Sequence, residues 1–262
     1  MSNHDPIEIT ILGSGTSAGV PMIGCHCPVC TSTDPRDKRN RCSVVVSYGG
    51  RSVLIDTPPE LRLAAIANRV DMIDAVVLTH AHADHIFGLD DVRRYNTLSG
   101  RGIPVYGAPR TLSIIRQAFG YALDAAAADP LVYRPQLTLE EVCGPFELLG
   151  KTWIPIELPH GRVQVLGFRI GDFAYCTDCS DIPAAGKLQL NHLDTLIIDA
   201  LRPTPHPTHL SFEQAIALIA ELKPRQAFFT HLTHDVAHAD IEKNLPEGVK
   251  VLTDGMKFQV PR

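Results

Sequence analysis

Three histidines and one aspartate fall within six positions of this chain, in the segment His80-Ala-His-Ala-Asp-His85. The apolar run Ala75–Leu78 that precedes them is typical of a buried strand. Polar side chains directly after such a strand lie at its carboxyl end, where α/β folds open into a crevice. Imidazole and carboxylate groups are ligands suited to zinc, manganese and iron. The segment therefore predicts a metal site at the end of a strand.

Three further apolar runs end in ligands of the same types. They are Ile156–Leu158 before His160, Phe173–Cys176 before Asp178, and Ala227–Phe229 before His231. If these strands share one sheet, their ends converge at one edge. Five histidines and two aspartates are too many for one tetrahedral ion, and they suit two ions about 3.5–4 Å apart that share a bridging carboxylate. The sequence therefore predicts a dinuclear centre.

A second set of candidate ligands lies in Gly24-Cys-His-Cys-Pro-Val-Cys30. The thiols of Cys25, Cys27 and Cys30 can point at one ion, and a tetrahedral structural zinc then needs a fourth Cys or His ligand. His26 lies between two of the thiols and is poorly placed to join them, so the fourth ligand is expected to be distant in sequence. The chain has seven cysteines, an odd number, which favours metal binding or simple burial over disulfides.

Length and charge limit the classes of protein to consider. The 262 residues are 45% hydrophobic, which is enough for one large domain or two small ones. The net charge of −5 gives no basic field for nucleic acid or membrane surfaces. The N-terminal segment lacks the basic and apolar regions of a signal peptide, and no apolar run is long enough to span a bilayer. We therefore expect a cytoplasmic protein.

Strand and helix patterns alternate along the chain, and hairpins join some of the strands. Ser43–Ser47 and Ser52–Ile55 form one predicted hairpin, which ends at Asp56. A capping box, Ser211-Phe-Glu-Gln214, begins an amphipathic helix. We find no linker or repeat, and we predict a single α/β domain over residues 1–262, with a mixed sheet core and helices outside. Its cysteine-rich zinc-binding loop is expected at residues 24–42.

The spacing His80-Ala-His-Ala-Asp-His85 is the His-x-His-x-Asp-His motif, and single His, Asp and His ligands follow it. In these features the chain resembles the metallo-β-lactamase superfamily over nearly its whole length. The resemblance implies an αββα sandwich with two divalent cations, zinc, manganese or iron. It implies that the first ion takes His80, His82 and His160, the second takes Asp84, His85 and His231, Asp178 bridges them, and Asp56 orients the ligand loop.

The cysteines narrow the resemblance to the branch that contains phosphoribosyl 1,2-cyclic phosphate phosphodiesterase. In that branch three cysteines hold a structural zinc together with a histidine three positions after the last catalytic ligand, which is His234 here. His209, just before the capping box, aligns with a histidine that assists at the scissile phosphate. The resemblance thus implies Asp84 and His209 as catalytic residues, the former also a metal ligand. His206 is a weaker candidate.

The expected activity is hydrolysis of a small, cyclic phosphodiester by in-line attack of a hydroxide that bridges the metals, in an enzyme of the phosphoric diester hydrolase class. A tRNA 3′-processing endonuclease uses the same motif but normally adds a basic arm, which we do not find. Hydrolysis of carboxylic esters or thioesters is another alternative. A zinc-stabilised binding protein is the non-enzymatic one, and the full set of seven ligands argues against it. A homodimer is expected by resemblance, without nucleic-acid or membrane partners.

The other histidines and cysteines have simpler expected roles. His4, His192 and His238 are expected in solvent. The remaining thiols are expected to be small buried groups, namely Cys42, Cys143, Cys176 and Cys179.

Overall fold

Two seven-stranded sheets face each other in the structure, a computed structural model that describes residues 6–123 and 133–260. The strands of the first sheet are β1 (Ile7–Gly13), β2 (Ser43–Tyr48), β3 (Arg51–Ile55), β4 (Ala75–Val77), β5 (Ile103–Gly107), β6 (Leu137–Glu141) and β14 (Lys257–Val260). Their spatial order is β14-β1-β2-β3-β4-β5-β6. The pairs from β14 to β3 are antiparallel, and those from β3 to β6 are parallel.

The second sheet is also mixed. Its strands are β7 (Phe146–Leu148), β8 (Lys151–His160), β9 (Val163–Ile170), β10 (Phe173–Cys176), β11 (Thr195–Asp199), β12 (Gln226–Thr230) and β13 (Val249–Val251), in the order β13-β12-β11-β10-β9-β8-β7. The strands β10 to β13 are parallel, whereas β7 to β10 are antiparallel. Each sheet therefore has a parallel half, whose strands end together at one edge.

Helices cover the outer face of each sheet. They are α1 (Leu61–Asn68), α2 (Ala83–Ile86), α3 (Arg93–Ser99), α4 (Pro109–Ala118), α5 (Ala184–Gln189), α6 (Phe212–Leu222) and α7 (His238–Glu242). Leu112 of α4 and Val76 of β4 belong to one buried cluster, and Ile219 of α6 and Phe229 of β12 belong to another. A third cluster, with Trp153 at its centre, fills the space between the sheets. The layers therefore run helix, sheet, sheet, helix, which confirms the predicted αββα sandwich.

The sequence predictions of local structure hold closely, with instructive exceptions. The capping box forms, because Ser211 Oγ accepts from Gln214 N (3.3 Å) and Ser211 N donates to Gln214 Oε1 (2.8 Å).

The condition that the ligand-bearing strands share one sheet is wrong. β4 belongs to the first sheet, whereas β8, β10 and β12 belong to the second. The ligands still converge, because both sheets present their strand ends at the same edge of the sandwich.

Other differences concern burial and an edge strand. The edge strand β6 was not predicted, because its polar residues Glu140 and Glu141 weaken the apolar pattern. His238 is buried rather than solvated, since Nη2 of Arg39 from a distant loop meets its Nδ1 at 3.0 Å. Cys143 is exposed rather than buried. His192 is exposed as predicted, and His4 lies outside the described residues. No helix within the described ranges is long and apolar enough to cross a membrane.

A buried polar network ties the loop after β1 to the segment before β14. Asp254 Oδ1 accepts from Ser14 N (3.0 Å) and Ser14 Oγ (2.8 Å), and its Oδ2 accepts from Asn40 N (2.6 Å). Arg39 Nη1 donates to Ser14 Oγ (2.8 Å) and to Leu252 O (2.6 Å). Burial raises the pKa of Asp254 to about 6, although these hydrogen bonds oppose the rise.

We expect Asp254→Asn to change how stability depends on pH. The folded chain keeps the Asp254 proton up to a pH near its pKa of about 6, whereas the unfolded chain releases it near the ordinary aspartate pKa of about 3.9. Stability from this group therefore falls as pH rises between about 4 and 6, by roughly 3 kcal/mol. The variant loses hydrogen bonds, but its stability does not fall with pH through this group. The difference in free energy of unfolding between the variant and the wild type therefore shifts in favour of the variant as pH rises from about 4 to 6. Urea unfolding at several pH values measures the difference.

Asp240→Asn is the control for this experiment, because Asp240 is an exposed residue of α7. Its free energy of unfolding should keep the wild-type pH dependence. A constant difference between the Asp254→Asn variant and the wild type from pH 4 to 6 would contradict the prediction.

Candidate metal centre

The first group of predicted ligands comes together from both sheets. His80 follows β4, His82 precedes α2, and His160 ends β8, and one ring nitrogen of each lies within 4.8 Å of the others. His160 Nδ1 donates to Thr208 O at 3.0 Å, which leaves its Nε2 as a bare lone pair. His80 Nε2 is buried and has no hydrogen-bond partner. These three imidazoles can therefore offer lone pairs to one cation.

The second group combines two carboxylates and two imidazoles. Asp84, His85, Asp178 and His231 have ligand atoms within 4.8 Å of one another. His85 Nε2 lies 3.2 Å from Asp84 Oδ2 and 3.4 Å from Asp178 Oδ1, and His231 Nε2 lies 3.2 Å from Asp178 Oδ2. None of these nitrogens has hydrogen-bond geometry. Bonds of about 2.0–2.1 Å to one tetrahedral ion would place two ligand atoms about 3.3 Å apart, so this group fits a divalent cation.

Asp178 connects the two groups. Its Oδ1 faces His85 and its Oδ2 faces His231, while Oδ2 is also 4.0 Å from His80 Nε2 in the first group. The carboxylate is buried, and although burial itself opposes ionisation, the His231 and His85 imidazoles hold its pKa well below the ordinary range. An ionised carboxylate between two sets of imidazoles suits a bridging ligand.

The backbone at three of these positions is in the left-handed region. Asp56, Asp178 and His231 have φ values of 60°, 55° and 63°. Each follows the end of a strand, where the left-handed turn directs the side chain into the crevice between the sheets. Such a backbone is uncommon for residues other than glycine, and it persists where the surrounding structure holds it.

Asp56 orients the imidazoles of both groups. Its Oδ2 accepts from His85 Nδ1 (2.7 Å) and from Thr79 Oγ1 (2.8 Å), and its Oδ1 accepts from Thr79 N (2.8 Å). Thr79 Oγ1 in turn lies 3.0 Å from His80 Nδ1. Because these partners take the Nδ1 protons, the Nε2 atoms of His80 and His85 face the candidate site, as a lone pair in His80 and as one in His85 once a cation takes the place of its proton.

Electrostatics also favour positive charge in this crevice. Burial lowers the pKa of His80 well below its ordinary value, so this imidazole is neutral. His85 is more deeply buried, yet the Asp178 and Asp56 carboxylates raise its pKa well above the usual value. The protein thus gathers ionised carboxylates around imidazoles that attract a proton or another cation. Neutral imidazoles and ionised carboxylates are the forms that bind metals.

His209 lies beside both groups and is held by a buried carboxylate. Its Nδ1 is 2.7 Å from Asp199 Oδ2, which also accepts from Cys179 N at 2.8 Å. The His209 ring stacks on the His231 ring, with 4.6 Å between centroids, and meets the His160 ring edge-on at 4.8 Å. Asp199 was not among the predicted site residues. It does end an apolar run, which is the same signal that marked Asp178.

The cysteine cluster is separate from these groups. The ligand atoms of Cys25, Cys27, Cys30 and His234 lie within 4.8 Å of one another, and His234 Nδ1 is 3.3 Å from Cys25 Sγ and 3.2 Å from Cys27 Sγ. The Cys30 N–H and the His234 imidazole lower the pKa of Cys27 to about 6. His26 is exposed, away from the cluster. Three thiols and one imidazole in this arrangement fit a tetrahedral zinc.

The structure therefore brings together all the residues that the sequence marked as ligands. His206 is partly exposed, and its ring centroid is 5.3 Å from that of His209. Cys176 and Cys179, which flank Asp178, are buried as expected.

Comparisons with known proteins identify the family and the fold of the chain. The family model of the beta-lactamase superfamily domain matches residues 51–232. The crystal structure of a new diphosphatase from the PhnP family is 40% identical, with a TM-score of 0.90, over 98% of this chain and 99% of that chain. The structure of Zn²⁺-bound PqqB from Methylobacterium extorquens shares the fold at 22% identity, with a TM-score of 0.78, over 96% of this chain and 99% of that one.

One curated relative is longer than this chain. The octanoyltransferase of Porphyromonas gingivalis is 38% identical over 252 residues, which are 94% of this chain. The chain spans 50% of the length of that relative.

We expect His234→Ala to remove one bound metal per chain and to destabilise the fold. The cysteine loop would lose the link that an ion makes to the segment after β12, and binding of a structural zinc contributes directly to folding. The purified variant should contain about one zinc less by elemental analysis and should unfold at a temperature at least ~5 °C lower. His26→Ala is the matched control and should keep both values. An unchanged metal content in His234→Ala would contradict a zinc site at the cysteine cluster.

Proposed function

The chain belongs to the metallo-β-lactamase superfamily, as a hydrolase related to the PhnP-family diphosphatase, and on this basis we propose that it is a metal-dependent phosphodiesterase acting on small phosphoric diesters. Two divalent cations, zinc or manganese, would be held by the His80 and His85 groups. The observation that carries the proposal is the position of Asp178, whose carboxylate reaches imidazoles of both groups. Paired-ion sites occur in phosphatases, polymerases and nucleases, where they stabilise both the attacking and the leaving oxygen of a displacement at phosphorus.

Some residues of the chain would bind and orient the cations, and others would transfer protons. Divalent cations in such a site neutralise phosphoryl oxygens and activate water. Asp56 keeps the imidazoles of His80 and His85 in the tautomer that faces the site. Asp199 Oδ2 fixes the His209 ring through its Nδ1, which leaves Nε2 as the atom that could exchange a proton with the leaving oxygen of the diester.

The net charge of the protein narrows the size and charge of the candidate substrates. With a net charge of −5 and no basic arm in the sequence, the chain is unsuited to a long polyanion such as tRNA. A small cyclic diester therefore remains our first candidate. The likeness to a relative named a diphosphatase adds diphosphate diesters to the candidate substrates. Each phosphorus of a diphosphate diester carries two bridging oxygens, as in a phosphodiester, so the same in-line attack applies to it.

Acyl-ester or thioester hydrolysis is a second candidate. It is favoured by the likeness to an octanoyltransferase, at 38% identity over 94% of this chain. That relative is twice as long as the matched region, so its named activity need not reside in the part that this chain resembles. An acyl substrate would place its carbonyl oxygen, rather than a phosphoryl oxygen, at the paired groups.

We expect Asp178→Asn to reduce kcat/KM for a phosphodiester by at least about 10³-fold, or roughly 4 kcal/mol of transition-state stabilisation. Asparagine suits the same left-handed backbone, so the change removes the charge with little strain. The measurement is hydrolysis of a panel of cyclic and linear diesters, with metal content determined on the same samples. Asp181→Asn, an exposed carboxylate three residues away, should retain full activity.

The same panel separates the two candidates. Metal-dependent turnover of octanoyl thioesters by the wild type, without turnover of any diester, would overturn the phosphodiesterase proposal in favour of the acyl hydrolase. Diester hydrolysis that is lost in Asp178→Asn and kept in Asp181→Asn supports the first candidate.

A further inference from the structure

An arginine beside the metal centre has no counter-charge in the described parts of the chain. Within residues 6–123 and 133–260, the Arg202 guanidinium makes no hydrogen bond or ion pair, and its Nε atom is buried without a partner. By contrast, Arg93 pairs with Asp90 at 2.5 Å, and Arg39 donates to a hydroxyl and a carbonyl. A buried donor left without an acceptor costs free energy, so the buried Nε would gain from an acceptor that a ligand supplies, while the rest of this partly exposed group stays open to solvent.

Arg202 lies at the base of the loop 201–209, which packs on the metal centre. At one end of this loop, Thr208 O accepts from His160 Nδ1 (3.0 Å), and the His209 ring lies against those of His160 and His231. At the other end, Leu201 O accepts from Thr233 N (3.0 Å), two residues after His231. The loop therefore forms one wall of the crevice, held at both ends.

His206 adds a second donor to this wall. Its Nδ1 accepts from Thr208 N (3.4 Å), so its proton is on Nε2, which is free to donate to a ligand. Its ring is 5.3 Å from that of His209. Burial lowers the pKa of His206, and the nearby His209 and Arg202 charges lower it in the same direction. The Arg202 backbone pairs with Ser211, two residues after His209, so the base of the loop lies next to His209.

The loop is also rigid and free of acids. Pro203, Pro205 and Pro207 alternate along it, and each fixes its own φ angle. The segment 201–208 contains no Asp or Glu to compete for the guanidinium. Donors that are positioned before binding lose little conformational entropy when an anion arrives.

We propose that Arg202 and His206 form an anion subsite for a diphosphate substrate. The subsite holds the phosphoryl group that departs, while the phosphoryl group that is attacked lies at the metal centre. This inference rests on the proposed phosphodiesterase function and narrows its substrate class to diphosphate diesters. A planar guanidinium binds phosphate oxygens through paired N–H donors.

The reaction is a balanced hydrolysis of the bond between the two phosphoryl groups. Water supplies a hydroxyl to the phosphorus at the metal centre, and the bridging P–O bond breaks. The bridging oxygen leaves with the second phosphoryl group, and the proton from water is released or is passed to that group. Arg202 and His206 would stabilise the negative charge that develops on the departing phosphate.

The test compares two substrates that differ by one phosphoryl group, bis(p-nitrophenyl) phosphate and P1,P2-di(p-nitrophenyl) diphosphate, with products measured by chromatography. We expect Arg202→Gln to lower kcat/KM for the diphosphate at least tenfold and to leave the monophosphate diester within twofold. Arg202→Lys should restore part of the loss, because it keeps the charge but not the paired donors. Arg116→Gln, an exposed arginine of α4 on another face, should behave as wild type.

Three results would overturn the subsite: equal losses on both substrates, which indicate a structural role for Arg202; no loss on either; or no rescue by lysine. Failure of the proposed function itself has a different signature, since the wild type would then hydrolyse neither substrate. In that case the subsite is still tested by measuring the binding of dimethyl methylenediphosphonate by calorimetry. Its dissociation constant should rise at least tenfold in Arg202→Gln, and an unchanged value refutes the proposal.

Discussion

One buried carboxylate, that of Asp178, determines the geometry of the whole crevice. It is surrounded by imidazoles from both sheets, and the attraction between its charge and theirs outweighs its loss of hydration. No single sheet could supply this environment. His85 comes from the end of the first sheet and His231 from the end of the second. The face-to-face packing of two sheets, which buries Trp153 and its neighbours between them, is what brings the two strand ends within reach of one carboxylate.

Much of this arrangement could be predicted because the ligands follow short apolar strands. A strand of four or five buried residues has a clear sequence signal, and the side chain after it is placed at the sheet edge by chain direction alone. The assignment of strands to two different sheets could not be obtained in this way. It depends on long-range pairing, such as that of β3 with β4 and of β10 with β11, which leaves no local pattern.

Contacts between side chains that are distant along the chain could not be predicted from the sequence either. Asp199 had the same local signal as Asp178, but its role depends on a hydrogen bond to His209, ten residues away on another segment. The burial of His238 depends on Arg39, 199 positions earlier. Arg202 gave no signal in the sequence, because the lack of an acidic partner among the described residues can be seen only once its neighbours in space are known. Such features become visible only when the neighbours of a side chain are known.

The short interval between His231 and His234 links two candidate sites that, among the described residues, have no ligand in common. A few residues after β12 contribute both to the paired imidazole groups and to the cysteine cluster. The order in which ions arrive during maturation then matters. If the His80 and His85 groups filled with cations before the cysteine loop closed, the chain would hold those ions with one wall still unanchored. If the cysteine cluster binds zinc as we expect, the supply of that one metal would limit how much correctly closed protein accumulates, whichever metal the His80 and His85 groups take.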